Sequence, residues 1–203
     1  RLQGLCTQGG LTLMIDDHAV FRETGELLLT DYGVSGVCVF QLSREAAPAL
    51  AQGRSVRLAV NFLPEIPSLL PWLDARIRQL APASLLALTT GVLPRLLAQT
   101  VIREARLSPD MPAEALSESE KQALCGALSA FPLVVTGTQG FANAQVTRGG
   151  VSLADADPST MASRVFDGLH IIGELLDVDG PCGGYNLHFA FAGALAAAKA
   201  IAD

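Results

Sequence analysis

The sequence predicts an α+β protein in which a β-barrel-like domain is interrupted by a small helical domain and followed by a separate strand–turn–helix segment. Three observations carry this reading. Short apolar runs bounded by glycines and acids fill the first third, apolar residues recur at three-to-four spacing through the middle, and strand-like runs return after Phe131. Near the end, the stretch from Gly168 to Leu187 reads as a buried strand closing on a glycine and acids. A double-glycine turn and a small-residue helix follow it.

In chain order, Leu11–Ile15 and Glu26–Thr30 are predicted strands, with a turn near Glu23-Thr24-Gly25. Val37 to Leu50 reads as a helix packing Val39, Phe40 and Leu42, and Ser55 to Leu63 as a strand stopped by Pro64 and Pro67. Helices are expected over Ser68–Leu80, Val92–Glu104 and Glu118–Ala130. The last of these opens on Ser117-Glu118-Ser119-Glu120, the pattern of a capping box. Pro132–Thr138 and Ala142–Thr147 read as returning strands, Leu169–Gly173 as a further strand, and about 186–201 as the closing helix. The expected domains are therefore 1–64 with 131–147 for the sheet, 65–130 for the helices and 148–203 for the last layer.

Half of the 203 residues are apolar and 17% are charged, which suits an ordered protein with a sizeable core. No uncharged apolar run reaches the roughly 18 residues that span a bilayer. The net charge of −6 argues against nucleic acid or an anionic membrane as the main partner. Cys6, Cys38, Cys125 and Cys182 are far apart, so neither a zinc site nor a disulfide framework is indicated; four reduced thiols point to the cytoplasm. The histidines, His18, His170 and His188, lack metal-ligand spacing, and no metal is expected. The chain opens at Arg1 on strand-like sequence, as expected of a piece that begins inside a longer protein or after processing.

Three segments carry candidate chemistry. In the first, the carboxyl edge of a sheet near Gly173 is where α/β proteins hold ligands, and Asp177 is suited to accept hydrogen bonds from ribityl or ribose hydroxyls. Gly183 and Gly184 bare the backbone, so that their N–H groups and those of Tyr185 and Asn186 open a helix whose positive end attracts an anion. The plain alternative is a tight turn with solvated acids. Asp177-Val178-Asp179-Gly180 lacks the third acid and closing glutamate of a calcium loop. In the second, Val146-Thr147-Arg148-Gly149-Gly150 suggests backbone passing close to something planar, or equally a hairpin glycine pair. The third, Thr30–Gly36, offers Tyr32 and Ser35 to a pocket, although Ser35 is as well suited to cap the helix beginning near Gly36. Arg148 and Arg164 are candidates for an anionic substrate or phosphate, and equally ordinary surface arginines.

Together these segments resemble the bacterial BaiN/RdsA-like, or aminoacetone-oxidase-like, family of NAD(P)/FAD-dependent flavoproteins. The matching residues are Thr30–Val37, Ala144–Val151, Thr160–Ser163, Gly173–Gly180 and Gly183–His188. The resemblance implies a split two-dinucleotide-binding, Rossmann-like flavin domain, of which 148–203 is the returning end, with the N-terminal FAD-binding unit lying before Arg1. It implies that Gly173, Glu174, Asp177, Gly183, Gly184, Tyr185, Asn186 and Leu187 face the ribityl chain and isoalloxazine, with Thr147, Gly149 and Gly150 near the ring. Asp31, Val37 and His188 stand where the family usually has His, Pro and Gln, so no histidine-based proton transfer is expected at the first of these. Tyr32 is the remaining candidate for a catalytic group.

The expected function is thus that of a fragment of an FAD-dependent oxidoreductase, with NAD(P)H as donor and a small-molecule substrate whose identity the sequence leaves open. The fragment by itself is expected to be inactive and to hold FAD weakly or not at all, with the missing FAD-binding domain as its partner. A non-catalytic binding module that keeps the fold and an RNA-modifying flavoprotein are the alternatives.

Overall fold

The computed structural model describes residues 2–202, which form two compact units, the first through Gly137 and the second from Thr138 onward. The first is built on an antiparallel sheet. Strands β1 (Cys6–Ile15) and β2 (His18–Leu29) form a long hairpin; β3 (Val34–Ser35), β4 (Val56–Asn61) and β5 (Phe131–Val134) complete the order β3-β2-β1-β4-β5. The period of two is visible in burial. Leu11, Leu13 and Ile15 of β1 and Val56, Leu58 and Val60 of β4 all point into the core.

The hairpin turns at Asp16-Asp17, both with positive φ (48° and 65°), as a two-residue turn with the twist of the flanking strands requires. The Asp16 carboxylate accepts from Arg54 Nε at 2.7 Å and from the Ser55 N–H at 3.0 Å, tying the turn to the start of β4. Those two bonds hold its carboxyl below the usual range. The turn expected at Glu23–Gly25 does not exist: β2 runs straight through it, with Gly25 opposite Gly9. Its glycine serves packing instead, since a Cβ there would lie 3.3 Å from Cys38 Cβ on the helix above.

That helix, α1 (Val37–Ala51), lays Cys38, Leu42, Ala46 and Ala49 on the sheet. It begins at Gly36, with φ of 122° and the Glu26 carbonyl oxygen where a Cβ would be, so glycine is required there. Ser35 pairs with Leu28 in the sheet rather than capping the helix.

Between β4 and β5 the chain makes its helical excursion through α2 (Leu69–Leu80), α3 (Leu85–Leu88), α4 (Arg95–Glu104) and α5 (Glu118–Ser129). Helix α3 is an addition to the three expected, a single turn capped by Ser84 and too short to show a period. The capping box forms as expected: Ser117 Oγ accepts from the Glu120 N–H at 3.3 Å, and Glu120 Oε2 accepts from the Ser117 N–H at 2.8 Å. Lys121 of α5 reaches Asp74 of α2 at 2.8 Å. Arg76 stacks on Trp72 and donates to the Leu88 and Thr90 carbonyls, fastening α2 to α3. The excursion closes where Val60 pairs with Phe131, and Phe62 meets the Phe131 ring edge-on at 5.6 Å. One core runs continuously through sheet and helices.

The second unit consists of short 3-10 turns, single bridges and one long helix, α6 (Tyr185–Ala202). Two strands expected here are absent. Residues 142–147 form a 3-10 turn at Phe141–Asn143 and exposed chain, with no partner strand among the described residues. Leu169–Gly173 makes one antiparallel bridge, Ala162 with His170, before Gly173 (φ 63°) turns it into a 3-10 turn at Gly173–Leu175. Positive φ at Gly173 ends the extension. The small core is Ala156, Met161, Ile171, Leu176 and Ala197. No helix of either unit is long and apolar enough to cross a membrane, among the described residues.

Candidate functional site

The second unit holds two of the three singled-out segments, Val146–Gly150 and the Gly173–Leu187 stretch; Thr30–Gly36 lies in the first unit. Residues 147–151 run beside 174–177: the Thr147 N–H donates to Glu174 Oε1 at 2.5 Å, and the Gly149 N–H to Asp177 Oδ1 at 3.0 Å. Backbone bonds complete the ladder, Val151 N–H to Leu175 O at 2.8 Å and Asp177 N–H to Val151 O at 2.9 Å, around a parallel bridge of Val151 with Leu176. Gly150 explains the closeness. A Cβ there would stand 2.6 Å from the Leu175 oxygen, inside van der Waals contact, so a side chain would force the two segments apart. Buried Leu176 anchors the ladder to the core.

The far end of the Gly173–Leu187 stretch opens α6. Asn186 clasps the preceding loop through its amide: Oδ1 accepts from the Gly180 N–H at 2.7 Å, and Nδ2 donates to the Gly180 carbonyl at 3.1 Å. Gly183 and Gly184 have φ of 124° and 90°, conformations that L side chains rarely adopt. The helix's first bond runs from the His188 N–H to the Gly184 carbonyl, so the N–H groups of Tyr185, Asn186 and Leu187 lie ahead of any intrahelical acceptor. These donors, at the positive end of an 18-residue helix, suit a negatively polarised ligand edge. Glu174 and Asp177 each engage a backbone N–H through one oxygen, and both side chains are exposed, leaving the other oxygen to accept from hydroxyls. Gly173, between ladder and helix, lies under α6: a Cβ there would be 3.5 Å from Ala190 Cβ.

The bracing role of Glu174 and Asp177 is something the sequence does not announce. An acid beside a glycine-rich turn looks the same whether it faces a ligand or its own backbone. Asn186, expected as an N–H donor, is also the clasp of its own loop. Elsewhere in the unit, Arg164 is committed to Asp157 and to the Ala156 carbonyl. The Asp157 carboxyl is held below its usual range, first by the Ser159 hydroxyl and then by backbone N–H groups. His170 Nδ1 meets the Thr160 carbonyl at 2.9 Å, an ordinary structural contact.

Tyr32 lies in the first unit, exposed on the loop between β2 and β3. That loop is tightened by a bond from the Thr30 N–H to the Gly33 carbonyl. Thr30 Oγ1 is buried there without a hydrogen-bond partner among the described residues, a feature no sequence pattern signals. Cys38 and Cys125 have thiols pushed up by burial, which makes them poor nucleophiles.

Comparison with known proteins decides the family. The family model described as the HI0933-like protein barrel and H2TH domain matches residues 1–146. The chain belongs to the HI0933-like family, the flavoprotein family that its motifs resemble. It is 34% identical over its full length to the 3-dehydro-bile acid delta(4,6)-reductase of Clostridium scindens, spanning 50% of that protein. It is 35% identical over 91% of its length to the ribosomal RNA dihydrouridine synthase of Escherichia coli, of which it spans 44%. The corresponding synthase of Haemophilus influenzae is 29% identical over 97% of the chain and spanned to 48%. The chain thus covers about half the length of the curated relatives it matches. The family name fits the first unit, whose sheet is a half-barrel beside a cluster of helices.

Proposed function

We propose that this chain is the barrel, helical and flavin-facing part of an FAD-dependent oxidoreductase that draws reducing equivalents from NAD(P)H. The observation that carries the reading is the clipping of Thr147 and Gly149 to Glu174 and Asp177, in the same unit as the open N-terminus of α6. The second unit is read as the returning end of a split Rossmann-like flavin domain whose other half lies outside this chain.

The donor set fits a flavin. The N–H groups of Tyr185 to Leu187 suit the N1–C2=O edge, which becomes anionic on reduction. The unpaired oxygens of Glu174 and Asp177 suit ribityl hydroxyls, and bare Gly149 and Gly150 let a flat ring approach the backbone. When bound, FAD would supply the hydride chemistry, while these residues orient it and tune its charge. Tyr32 remains the proposed proton-handling group, and no metal is invoked. The phosphate-gripping half is the expected partner, so this chain alone should bind FAD weakly and be inactive. Four scattered free cysteines suit a cytoplasmic setting.

The substrate class is best read as a small molecule, in keeping with the net charge of −6. The relatives named as ribosomal RNA dihydrouridine synthases support RNA as the second reading. One experiment addresses both. The chain is joined to the aligned remaining half of the Clostridium scindens relative, reconstituted with FAD and scanned near ~450 nm. A flavin band bleached by NADH or NADPH is the expected result, and its absence would overturn the reading. Salt-resistant RNA binding by the reconstituted protein would move the assignment to RNA modification.

A further inference from the structure

The arginines of this protein divide into those spent inside the fold and those left over. Arg54 and Arg57 pair with Asp16 and Asp17, Arg76 donates to the Leu88 and Thr90 carbonyls, and Arg164 pairs with Asp157. Arg95, Arg103 and Arg106 are exposed and have no hydrogen-bond or ion-pair partner among the described residues. All three lie on α4 or just past its end. Arg95, Gln99 and Arg103 follow one another at four-residue steps along one side of the helix, a row about 12 Å long at 1.5 Å per residue.

Two of these arginines stand where the helix itself disfavours them. Arg95 is the first residue of α4, at the positive end of the helix dipole, with no acid in that turn and no side-chain cap. Helix α5, by contrast, opens on Glu118 and Glu120. Arg106 follows α4 with φ of 61°, a left-handed position that usually falls to glycine. Arg103 alone sits at the end that favours a cation. Each end of the row also borders a hollow. Arg95 lines one of about 220 Å³ with Thr90 and Gly91, and Arg106 lines one of about 320 Å³ with Glu104 and Gly126. Glycine inside a helix is unfavourable, yet a Cβ at Gly126 would meet nothing within 4 Å. Packing does not require that glycine; it keeps the hollow open.

A row of unengaged arginines suits a partner that carries anions at intervals, since the guanidinium fork matches the oxygens of a phosphate. The whole chain has a net charge of −6, so a partner held by one local row must outweigh a general repulsion. A nucleic-acid backbone does so. Its charges are dense, and each neutralised phosphate releases condensed counterions, a gain that an acidic peptide does not offer. We propose that the Arg95–Gln99–Arg103–Arg106 side of α4 seats the phosphate backbone of RNA. These contacts position the strand and read no sequence. The row lies within the first unit and does not depend on a flavin. The choice of RNA over DNA rests on the second functional reading given above; the row itself does not.

The test is fluorescence anisotropy of a labelled RNA hairpin titrated with this chain, repeated from about 50 to 200 mM salt. The triple variant Arg95→Gln, Arg103→Gln, Arg106→Gln should bind about tenfold or more weakly at the low-salt end. Its slope of log K against log salt should be shallower by about two to three. Lysine at the same three positions keeps the charge and should restore most of the slope. Arg22→Gln, which removes an exposed arginine from β2, should change neither quantity. The three side chains hold nothing in the fold, so the urea midpoint of the triple variant should stay where it was. No RNA binding by the parent chain at about 50 mM salt would overturn the proposal. So would a triple variant with unaltered affinity and slope, or a loss equalled by Arg22→Gln, since bulk charge would then explain the binding. Equal, arginine-dependent binding of DNA of the same sequence would overturn the choice of RNA. RNA held without regard to these arginines sinks this surface and leaves the RNA reading standing. Arginine-dependent binding by a flavin-loaded hybrid that reduces no base of the RNA does the reverse.

Discussion

The two units of this protein handle apolar residues in opposite ways. In the first, alternation along β1 and β4 and the helical period in α4 and α5 direct Leu13, Val60, Leu97, Val101 and Leu128 into one continuous core. In the second, Leu175, Leu187, Phe191 and Leu195 stand exposed, and the buried core holds five residues among the described ones, with Phe189 packed against it. The contrast separates a unit that buries its apolar pattern from one that leaves large apolar side chains exposed. It also separates what holds each together. The first rests on burial; the second adds to its small core the backbone N–H groups of Thr147, Gly149 and Gly180, which donate to Glu174, Asp177 and Asn186.

The most drastic way to break this comparison is to separate the units. Residues 137–150 are exposed throughout and contain only one 3-10 turn, so limited proteolysis should cut there first. It should leave a resistant fragment ending near Gly137, identified by mass spectrometry; preferential cutting inside α2 to α5 would contradict a self-sufficient first unit. Next in size, Leu97→Ala should lower the first unit's stability by about 2–5 kcal/mol in urea titration, as a fully buried leucine with a fixed surround requires. Two separate transitions are expected, and only the first should move.

Gly150→Ala tests the second unit on its own terms. The added methyl would meet the Leu175 oxygen, so the ladder should open, and hydrogen exchange at Thr147, Gly149 and Val151 should rise together. Unchanged exchange there would show that the clips do not depend on close approach. The smallest effect concerns the capping box. Ser117→Ala should cost about 1 kcal/mol. Glu120 has its carboxyl held down in the folded state, first by the Ser117 hydroxyl and then by the Ser117 N–H. Its contribution is therefore present above the unfolded carboxylate range and lost as pH falls through the lower folded value. Glu120→Gln should flatten that part of the stability–pH curve, and an unaltered acid limb would count against the box.

Legibility followed the same division. Helices α1, α2, α4 and α5 were readable within a few residues because each buries one stripe and carries end signals in its own sequence, such as Ser117 and Glu120. Gly25 marks a turn by sequence and a strand in the structure, because glycine in a strand and glycine in a turn look alike until the helix above, with Cys38, is in view. The strand expected at Leu169–Gly173 has the right composition, but strands exist only as pairs, and it finds a single bridge. For the candidate site, the glycines and acids were all named from the sequence. Which acid braces which amide, and the buried Thr30 hydroxyl, were not.

The sequence by itself determined the alternation of sheet, helices and sheet, the helix caps, and the motifs that mark the family, because these depend on neighbours a few residues away. Tertiary structure alone decided the pairing of 147–151 with 174–177, the clasp of Asn186 on Gly180, and the outward aim of Leu187, Phe191 and Leu195. Each of those is a contact, or a missing contact, between segments whose closeness is fixed by burial and backbone hydrogen bonding. The double glycine before α6 is where the two kinds of information meet: its composition announces a bare turn, and its surroundings decide what that turn faces.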